Sequence, residues 1–93
     1  MQAVLTVTIK DPEGKATNKR LLFDTEKSQK VCDVINAFGY AVQTIWLSPA
    51  GWLFLEDNNR GGLSVADQTK TKDYIGEHYP DKFIEFFGEI EEA

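Results

Sequence analysis

Few residues of this chain are suited to catalysis, and those few lie far apart in the sequence. Cys32 is the only cysteine and His78 the only histidine. A nucleophilic cysteine needs a base within hydrogen-bonding reach, and so long a separation leaves that contact to the tertiary fold. A buried structural cysteine is much commoner than a catalytic one. We therefore predict no catalytic residue, and an enzyme that uses Cys32 and His78 is the weakest of three functional hypotheses.

A glycine-rich loop is a second place to look for ligand chemistry. Residues 58–62 read NNRGG, but they lack the Lys-Ser or Lys-Thr ending of a phosphate-binding loop. We interpret the segment as a connector in which Arg60 is a candidate contact for an anion or a partner protein. No cofactor site is predicted.

Carboxylates recur at every fourth position towards the C-terminus. Residues four apart lie close together on a helix, so the series predicts a broad acidic band. Such a pattern is usually the solvated face of amphipathic helices, and the functional alternative is a negative surface that docks a basic protein. The series lacks the compact spacing of a calcium-binding loop, so we predict no metal site. Its members are Asp73, Glu77, Asp81, Glu85 and Glu89.

Both tryptophans flank a short turn in the segment IWLSPAGWLFL, residues 45–55. Residues 48–51 (SPAG) have the side chains of a type I turn closed by a left-handed glycine, which predicts a hairpin with a three-residue loop. This register places Trp46 opposite Phe54 and sorts the hairpin into an aliphatic face and an aromatic face. The aromatic face (Trp46, Trp52 and Phe54) is a candidate partner-binding surface. Alternatively, a C-terminal helix covers it.

The first hairpin is predicted from the same turn chemistry. Residues 3–9 alternate in polarity apart from Val4, which predicts a strand with one buried face, and residues 11–14 (DPEG) repeat the layout of residues 48–51. A three-residue loop then pairs Ile9 with Thr17. One face of this hairpin collects Ala3, Leu5, Val7, Ile9, Leu21 and Phe23.

Helical spacing appears between the two hairpins. Apolar residues at positions i, i+3, i+4 and i+7 predict an amphipathic helix over residues 24–39, which packs on the sheet. Asp24 or Thr25 suits its start and Gly39 its end. The apolar stripe is Val31, Val34, Ile35 and Phe38.

The C-terminal third is predicted to be helical but interrupted. Ser64, with Asp67 three residues later, has the spacing of a capping box at a helix start. Pro80 fits best as the first residue of a further helix. That last helix carries on one side Phe83, Phe86, Phe87 and Ile90.

Length and charge limit the classes of partner. The 93 residues suffice for a single domain, 1–93, and 42% apolar with 27% charged residues is typical of a folded chain. The net charge of −5 is the sum of −6 in residues 47–93 and +1 in residues 1–46. This balance argues against a nucleic-acid partner. A lone cysteine, no signal-peptide layout and no long apolar run favour a cytoplasmic protein without a membrane partner.

These patterns together predict an α+β fold: an antiparallel four-stranded sheet of two hairpins, order ββα-ββαα, with helices packed on the sheet. The leading functional hypothesis is a small acidic protein-binding module that docks to another protein, as an inhibitor, antitoxin-like protein or accessory factor. The alternative is a homodimeric structural or small-molecule-binding module joined through the aromatic face. The predicted core comprises Leu5, Val7, Val31, Ile35, Phe38, Ile45 and Leu53.

Overall fold

The computed structural model describes residues 1–88, which form six strands followed by two helices. This content confirms the α+β class, but the order is ββββββαα, because residues 24–39 form no α-helix. The strands are β1 (Gln2–Lys10), β2 (Ala16–Asp24), β3 (Gln29–Ile35), β4 (Ala41–Leu47), β5 (Leu53–Asp57) and β6 (Leu63–Val65), and the helices are α1 (Gln68–His78) and α2 (Pro80–Phe87).

The strands form two antiparallel sheets where the sequence predicted one. β1 and β2 make a two-stranded ribbon, and the other strands make a four-stranded sheet in the order β3-β4-β5-β6. The ribbon packs against one face of the four-stranded sheet, and α1 and α2 pack against the opposite face. The protein therefore has three layers, with one buried cluster on each side of the central sheet.

The hairpin of β4 and β5 has the predicted register. Trp46 lies opposite Phe54, and Gly51 has a φ of 91°. Because side chains alternate along a strand, Ile45 and Leu53 point towards the helices while Phe54 points towards the ribbon. The predicted division into an aliphatic and an aromatic face is confirmed.

The ribbon also has the predicted register, with Ile9 opposite Thr17 and a φ of 83° at Gly14. Val7 and Phe23, on its inner face, are buried against the four-stranded sheet. Residues 8–20 are all exposed, so the distal half of the ribbon is solvated on both faces.

Strand β3 stands where the sequence predicted the first helix. Its pairing with β4 shifts register between Lys30 and Cys32 and again between Val34 and Ile35. The first shift is a bulge at Val31, and both Val31 and Cys32 are buried in the helix-side cluster. Val34 packs against the same cluster, so the buried positions no longer alternate and imitate a helical spacing. The helix prediction was wrong because this bulge disguises the period of two.

Asp24 does act as a cap, but only for a single 3-10 turn, Thr25–Lys27. Its carboxylate accepts hydrogen bonds from the side-chain amide of Gln2 at 3.0 Å and from the backbone N–H of Glu26 at 2.9 Å, and these bonds lower the pKa of Asp24. The backbone is extended again at Ser28, where β3 follows. The capping residue was predicted, and the length of the helix it caps was not.

Two predicted core residues are exposed. Ile35 is 44% exposed and Phe38 is 85% exposed. Both were assigned to the core as members of the apolar stripe of a helix that does not form. The predicted core residues that the structure buries are Val7, Val31, Ile45 and Leu53, with Leu5 half-buried.

The two helices cover the aliphatic face of the central sheet. Asp67 is the N-cap of α1, and its carboxylate accepts a hydrogen bond from the backbone N–H of Lys70 at 2.9 Å. Ser64 lies in β6, so the predicted helix start at Ser64 was too early. Pro80 is the first residue of α2, as predicted. The residues of α2 that pack on the helix-side cluster are Phe83, Phe86 and Phe87, while Ile90 lies outside the described residues.

Candidate functional site

The most exposed aromatic side chains lie on the turn between β3 and β4. Phe38 is 85% exposed and Tyr40 is 70% exposed. Large aromatic side chains bury about 150–250 Å² each when they are covered, so two exposed rings on one turn leave a substantial apolar surface in water. An exposed apolar feature of this kind is a candidate interaction site.

Side-chain and backbone hydrogen bonds hold this turn in one conformation. The side-chain oxygen of Asn36 accepts hydrogen bonds from the backbone N–H groups of Phe38 at 2.9 Å and Tyr40 at 3.0 Å. The backbone N–H of Asn36 donates to the carbonyl of Tyr40 at 2.9 Å, and Gly39 supplies a φ of 86°. The backbone that carries the two rings is therefore ordered before any partner arrives, which reduces the entropy lost on binding.

A second loop leaves the same end of the four-stranded sheet. Asn58, which follows β5, donates its backbone N–H to the carbonyl of Val42 and its side-chain amide to the carbonyl of Ala41, both at 3.1 Å. Ala41 directly follows Tyr40, so Asn58 fastens the loop after β5 to the base of the aromatic turn. The loop and the turn therefore lie next to each other at this end of the sheet.

Arg60 lies on that loop with its side chain exposed. The carboxylate of Asp57 accepts hydrogen bonds from the backbone N–H groups of Arg60 at 3.1 Å and Asn59 at 2.8 Å, and these bonds lower the pKa of Asp57. Among residues 1–88 the ion pairs within 4 Å are Lys30–Asp33 and Lys82–Glu85, so Arg60 makes no direct ion pair there, although its charge also helps to lower the pKa of Asp57. We call Phe38, Tyr40 and Arg60 the sheet-end surface.

Phe54, a predicted partner contact, is a core residue. It is fully buried between Phe23 and Trp46, with ring centroids 5.0 Å and 6.5 Å away. Trp46 and Trp52 are half-buried against the same cluster, and the indole N–H of Trp46 donates to Glu56 at 3.1 Å. The ribbon covers the aromatic face, whereas the sequence offered only a C-terminal helix or a partner as its cover.

The acidic band is exposed, but cations lie among its carboxylates. Lys82 pairs with Glu85 at 3.3 Å, and the ammonium of Lys72 lies 5.1 Å from the ring centre of Phe87. Lys70 is a third cation on the helices. A docking role for this band stays a prediction. The described members are Asp73, Glu77, Asp81 and Glu85, all exposed, while Glu89 lies outside the described residues.

Cys32 and His78 have different surroundings. Cys32 is buried in the helix-side cluster, and burial together with the nearby charge of Asp33 raises the pKa of its thiol to about 11. A protonated thiol is a poor nucleophile at neutral pH. His78 is exposed, and its ring centre lies 4.4 Å from that of Tyr74. These surroundings give a Cys–His mechanism no support.

An open cavity of about 340 Å³ lies between β3 and the start of α2. The hydroxyl of Tyr79 donates to the backbone carbonyl of Asp33 at 3.0 Å, and the carboxylate of Asp33 pairs with Lys30 at 3.3 Å. The charged side chains that line this cavity are thus paired, Lys30 with Asp33 and Lys82 with Glu85. Its lining residues are Lys30, Val31, Cys32, Asp33, Ile35, Tyr79 and Lys82.

No protein-family model matches this chain, and neither curated proteins nor solved structures show significant similarity to it. Within residues 1–88 there is no cluster of side chains suited to holding a metal ion. In the same residues no helix has the length and apolar character needed to span a membrane.

Sequence reasoning missed the aromatic turn, although a signal was present. Residues 36–39 (NAFG) have the layout of residues 11–14 (DPEG) and 48–51 (SPAG), with an acceptor side chain first and glycine fourth. In all three segments the fourth residue is a glycine at positive φ that donates its N–H to the first residue's carbonyl. Gly39 was interpreted as a helix stop, and it closes a hairpin.

Proposed function

We propose that this chain is a small protein-binding module that docks to another protein through the sheet-end surface. The observation that carries the proposal is the 85% and 70% exposure of Phe38 and Tyr40 on a turn whose backbone is already fixed by Asn36. Energetic hot spots of protein interfaces are enriched in aromatic residues and arginine, and they lie at the centre of the contact. The sheet-end surface combines both residue types.

The shape of the surface indicates what kind of partner it fits. The rings project from a tight turn, so they need a concave apolar site rather than a flat one. Two aromatic side chains supply about 300–500 Å², which is less than the roughly 800 Å² that each partner of a stable complex buries. Residues around the turn must therefore add to the contact, and we expect Arg60 to meet a carboxylate of the partner at the rim of that contact.

The overall charge of −5 favours a partner that carries a basic region. The carboxylates of α1 and α2 would act over a distance and mainly raise the association rate, because rim charges steer encounter. A cytoplasmic location is part of the proposal, since it would keep the free thiol of Cys32 reduced.

The test compares capture of cellular proteins by the parent chain and by the double variant Phe38→Ala/Tyr40→Ala. Val4→Thr is the matched control, because Val4 is 63% exposed on the ribbon and the change keeps its shape. We expect the control to retain any specific partner, and the double variant to bind it at least about thirtyfold more weakly, as a loss of about 2 kcal/mol requires. Equal affinity of parent and double variant, with equal thermal midpoints, would exclude this surface.

A further inference from the structure

The ribbon has a free strand edge, and its hydrogen bonds show which groups occupy that edge. Asp11 N–H donates to the carbonyl of Lys15 and Thr25 N–H to that of Met1, both at 3.0 Å, at the two ends of the ladder. Hydrogen-bonded and non-hydrogen-bonded pairs alternate in an antiparallel ladder, so the odd-numbered residues of β2 bond to β1. The backbone groups that face away from β1 are those of Ala16, Asn18, Arg20 and Leu22.

This edge lacks the features that protect the outer edge of the four-stranded sheet at β3. β1 and β2 pair through nine consecutive rows without a register shift. By contrast, β3 has two register shifts, and the hydroxyl of Tyr79 donates a hydrogen bond to the backbone carbonyl of Asp33. Bulges and blocked groups protect edge strands from pairing, and a regular strand is a template for another strand.

The charge of the ribbon selects the kind of strand that would fit. Residues 10–20 hold four cations and two carboxylates. Of the carboxylates, Asp11 accepts hydrogen bonds from the backbone N–H groups of Glu13 at 3.0 Å and Lys15 at 2.8 Å. None of the four cations forms an ion pair within residues 1–88. Pairing β2 with a second copy would bring two positive ribbons together, whereas an acidic strand would be attracted.

We infer that β2 binds an extended acidic segment of a partner protein, which adds as a strand along residues 16–22. Carboxylates of that segment lie beside Lys19 on one face and Arg20 on the other, since opposite charges on neighbouring strands attract. An apolar residue lies beside Leu22, which is 59% exposed. The backbone hydrogen bonds provide the affinity, and the charges provide the specificity for an acidic segment.

The experiment measures residue-resolved amide hydrogen exchange with a capped peptide in which pairs of glutamates follow pairs of threonines (TTEETTEE) as the probe, because adjacent glutamates of a strand lie on opposite faces. With peptide at ten times its Kd, we expect the amides of Ala16, Asn18, Arg20 and Leu22 to exchange about tenfold more slowly, because only unbound molecules exchange. The odd-numbered amides of β2 already bond to β1 and serve as the internal control. A matched peptide in which lysine replaces glutamate (the threonine–lysine peptide) should leave the exchange of the four even-numbered amides unchanged.

Two variants separate the backbone contact from the charge. Asn18→Pro removes an N–H that points away from β1, so it should abolish peptide binding and leave the thermal midpoint within a few degrees. The pair Lys19→Glu/Arg20→Glu should reverse the preference and bind the threonine–lysine peptide.

Equal protection by both peptides, protection without the alternation, or no protection at millimolar peptide would each overturn the inference. So would slow exchange of the four amides in the free protein together with a dimer in sedimentation, because a second copy would then occupy the edge. These outcomes concern β2 alone, so a failure of this inference would not count against the proposed role of the sheet-end surface.

Discussion

Two turns of the four-stranded sheet share one backbone arrangement and place their aromatic residues in opposite surroundings. In residues 48–51, the hydroxyl of Ser48 accepts from the N–H of Trp52 at 2.9 Å, as Asn36 accepts from Tyr40 in residues 36–40. Trp52 is half-buried under the ribbon, while Tyr40 is exposed. The turn chemistry fixes backbone and register, but a second layer decides whether an aromatic residue belongs to the core.

The largest difference is expected between two phenylalanines on these hairpins. Phe54→Ala should lower the free energy of unfolding by about 3–5 kcal/mol, because it opens a cavity between the ribbon and the sheet. Phe38→Ala should change it by less than about 0.5 kcal/mol, because the ring is already in water. Urea unfolding of both variants measures the contrast. A cost above about 2 kcal/mol for Phe38→Ala would show that the turn packs against the protein.

A second pair of variants tests β3 against the helix that its sequence imitates. Val31 is buried and Ile35 is 44% exposed. Val31→Ala should cost about 2 kcal/mol, since two methyl groups leave a packed cluster, and Ile35→Ala should cost less than about 1 kcal/mol. If residues 31–35 formed a helix with Val31 and Ile35 on its buried stripe, both changes would lower the free energy of unfolding by a similar, large amount. Equal costs in urea unfolding would therefore speak for the helix.

The contrast between β3 and the two predicted hairpins shows what the sequence could reveal. Around residues 11–14 and 48–51 the strands pair without a bulge, so the acceptor-to-glycine turn fixes the register, and the register was predictable from local chemistry. In β3 the bulge at Val31 breaks the alternation, and only pairing with β4 determines the strand. Local periodicity carries no information about a bulge, so the helix was the better local match.

The candidate site was harder to predict than the fold. Arg60 was identified from its loop, but Phe38 was assigned to the core because its position depends on the missed turn. Trp46, Trp52 and Phe54 were correctly placed on one face. Which layer covers that face is a matter of tertiary packing, and the ribbon as a separate sheet was not considered. Exposure of an aromatic residue follows from long-range contacts that spacing does not encode.

The polar groups that hold the two turns should matter in proportion to the hydrogen bonds they accept. Asn36→Ala removes the acceptor of two backbone N–H groups, and Ser48→Ala removes the acceptor of one. Ser48→Ala should cost about 1 kcal/mol and Asn36→Ala about 1–2 kcal/mol, because a hydrogen bond of this kind has a typical net value of about 1 kcal/mol and the freed N–H groups can turn to water. Thermal or urea unfolding checks the costs. Asn36→Asp should restore the acceptor, and its failure to do so would show that the turn is held by other contacts.

The smallest effect distinguishes the aromatic turn from the neighbouring loop by pH. Asn36 cannot titrate, whereas the carboxylate of Asp57 accepts from the N–H groups of Arg60 and Asn59, which lower its pKa from the ordinary value of 3.8. A lowered pKa means that the folded state binds the proton more weakly than the unfolded state. The stabilisation by Asp57 is therefore present above about pH 4 and is lost as the pH falls through its lowered pKa.

Acid should accordingly loosen the loop before the turn. In an NMR titration, the amide resonances of Asn59 and Arg60 should shift as Asp57 gains its proton, while those of Phe38 and Tyr40 hold their positions. Asp57→Asn should remove the pH dependence of the loop amides and leave the turn unchanged. If Phe38 and Tyr40 moved together with Asn59, the bonds from Asn58 to Ala41 and Val42 would couple the two loops into one unit, and the sheet-end surface would lose its shape in acid as a whole.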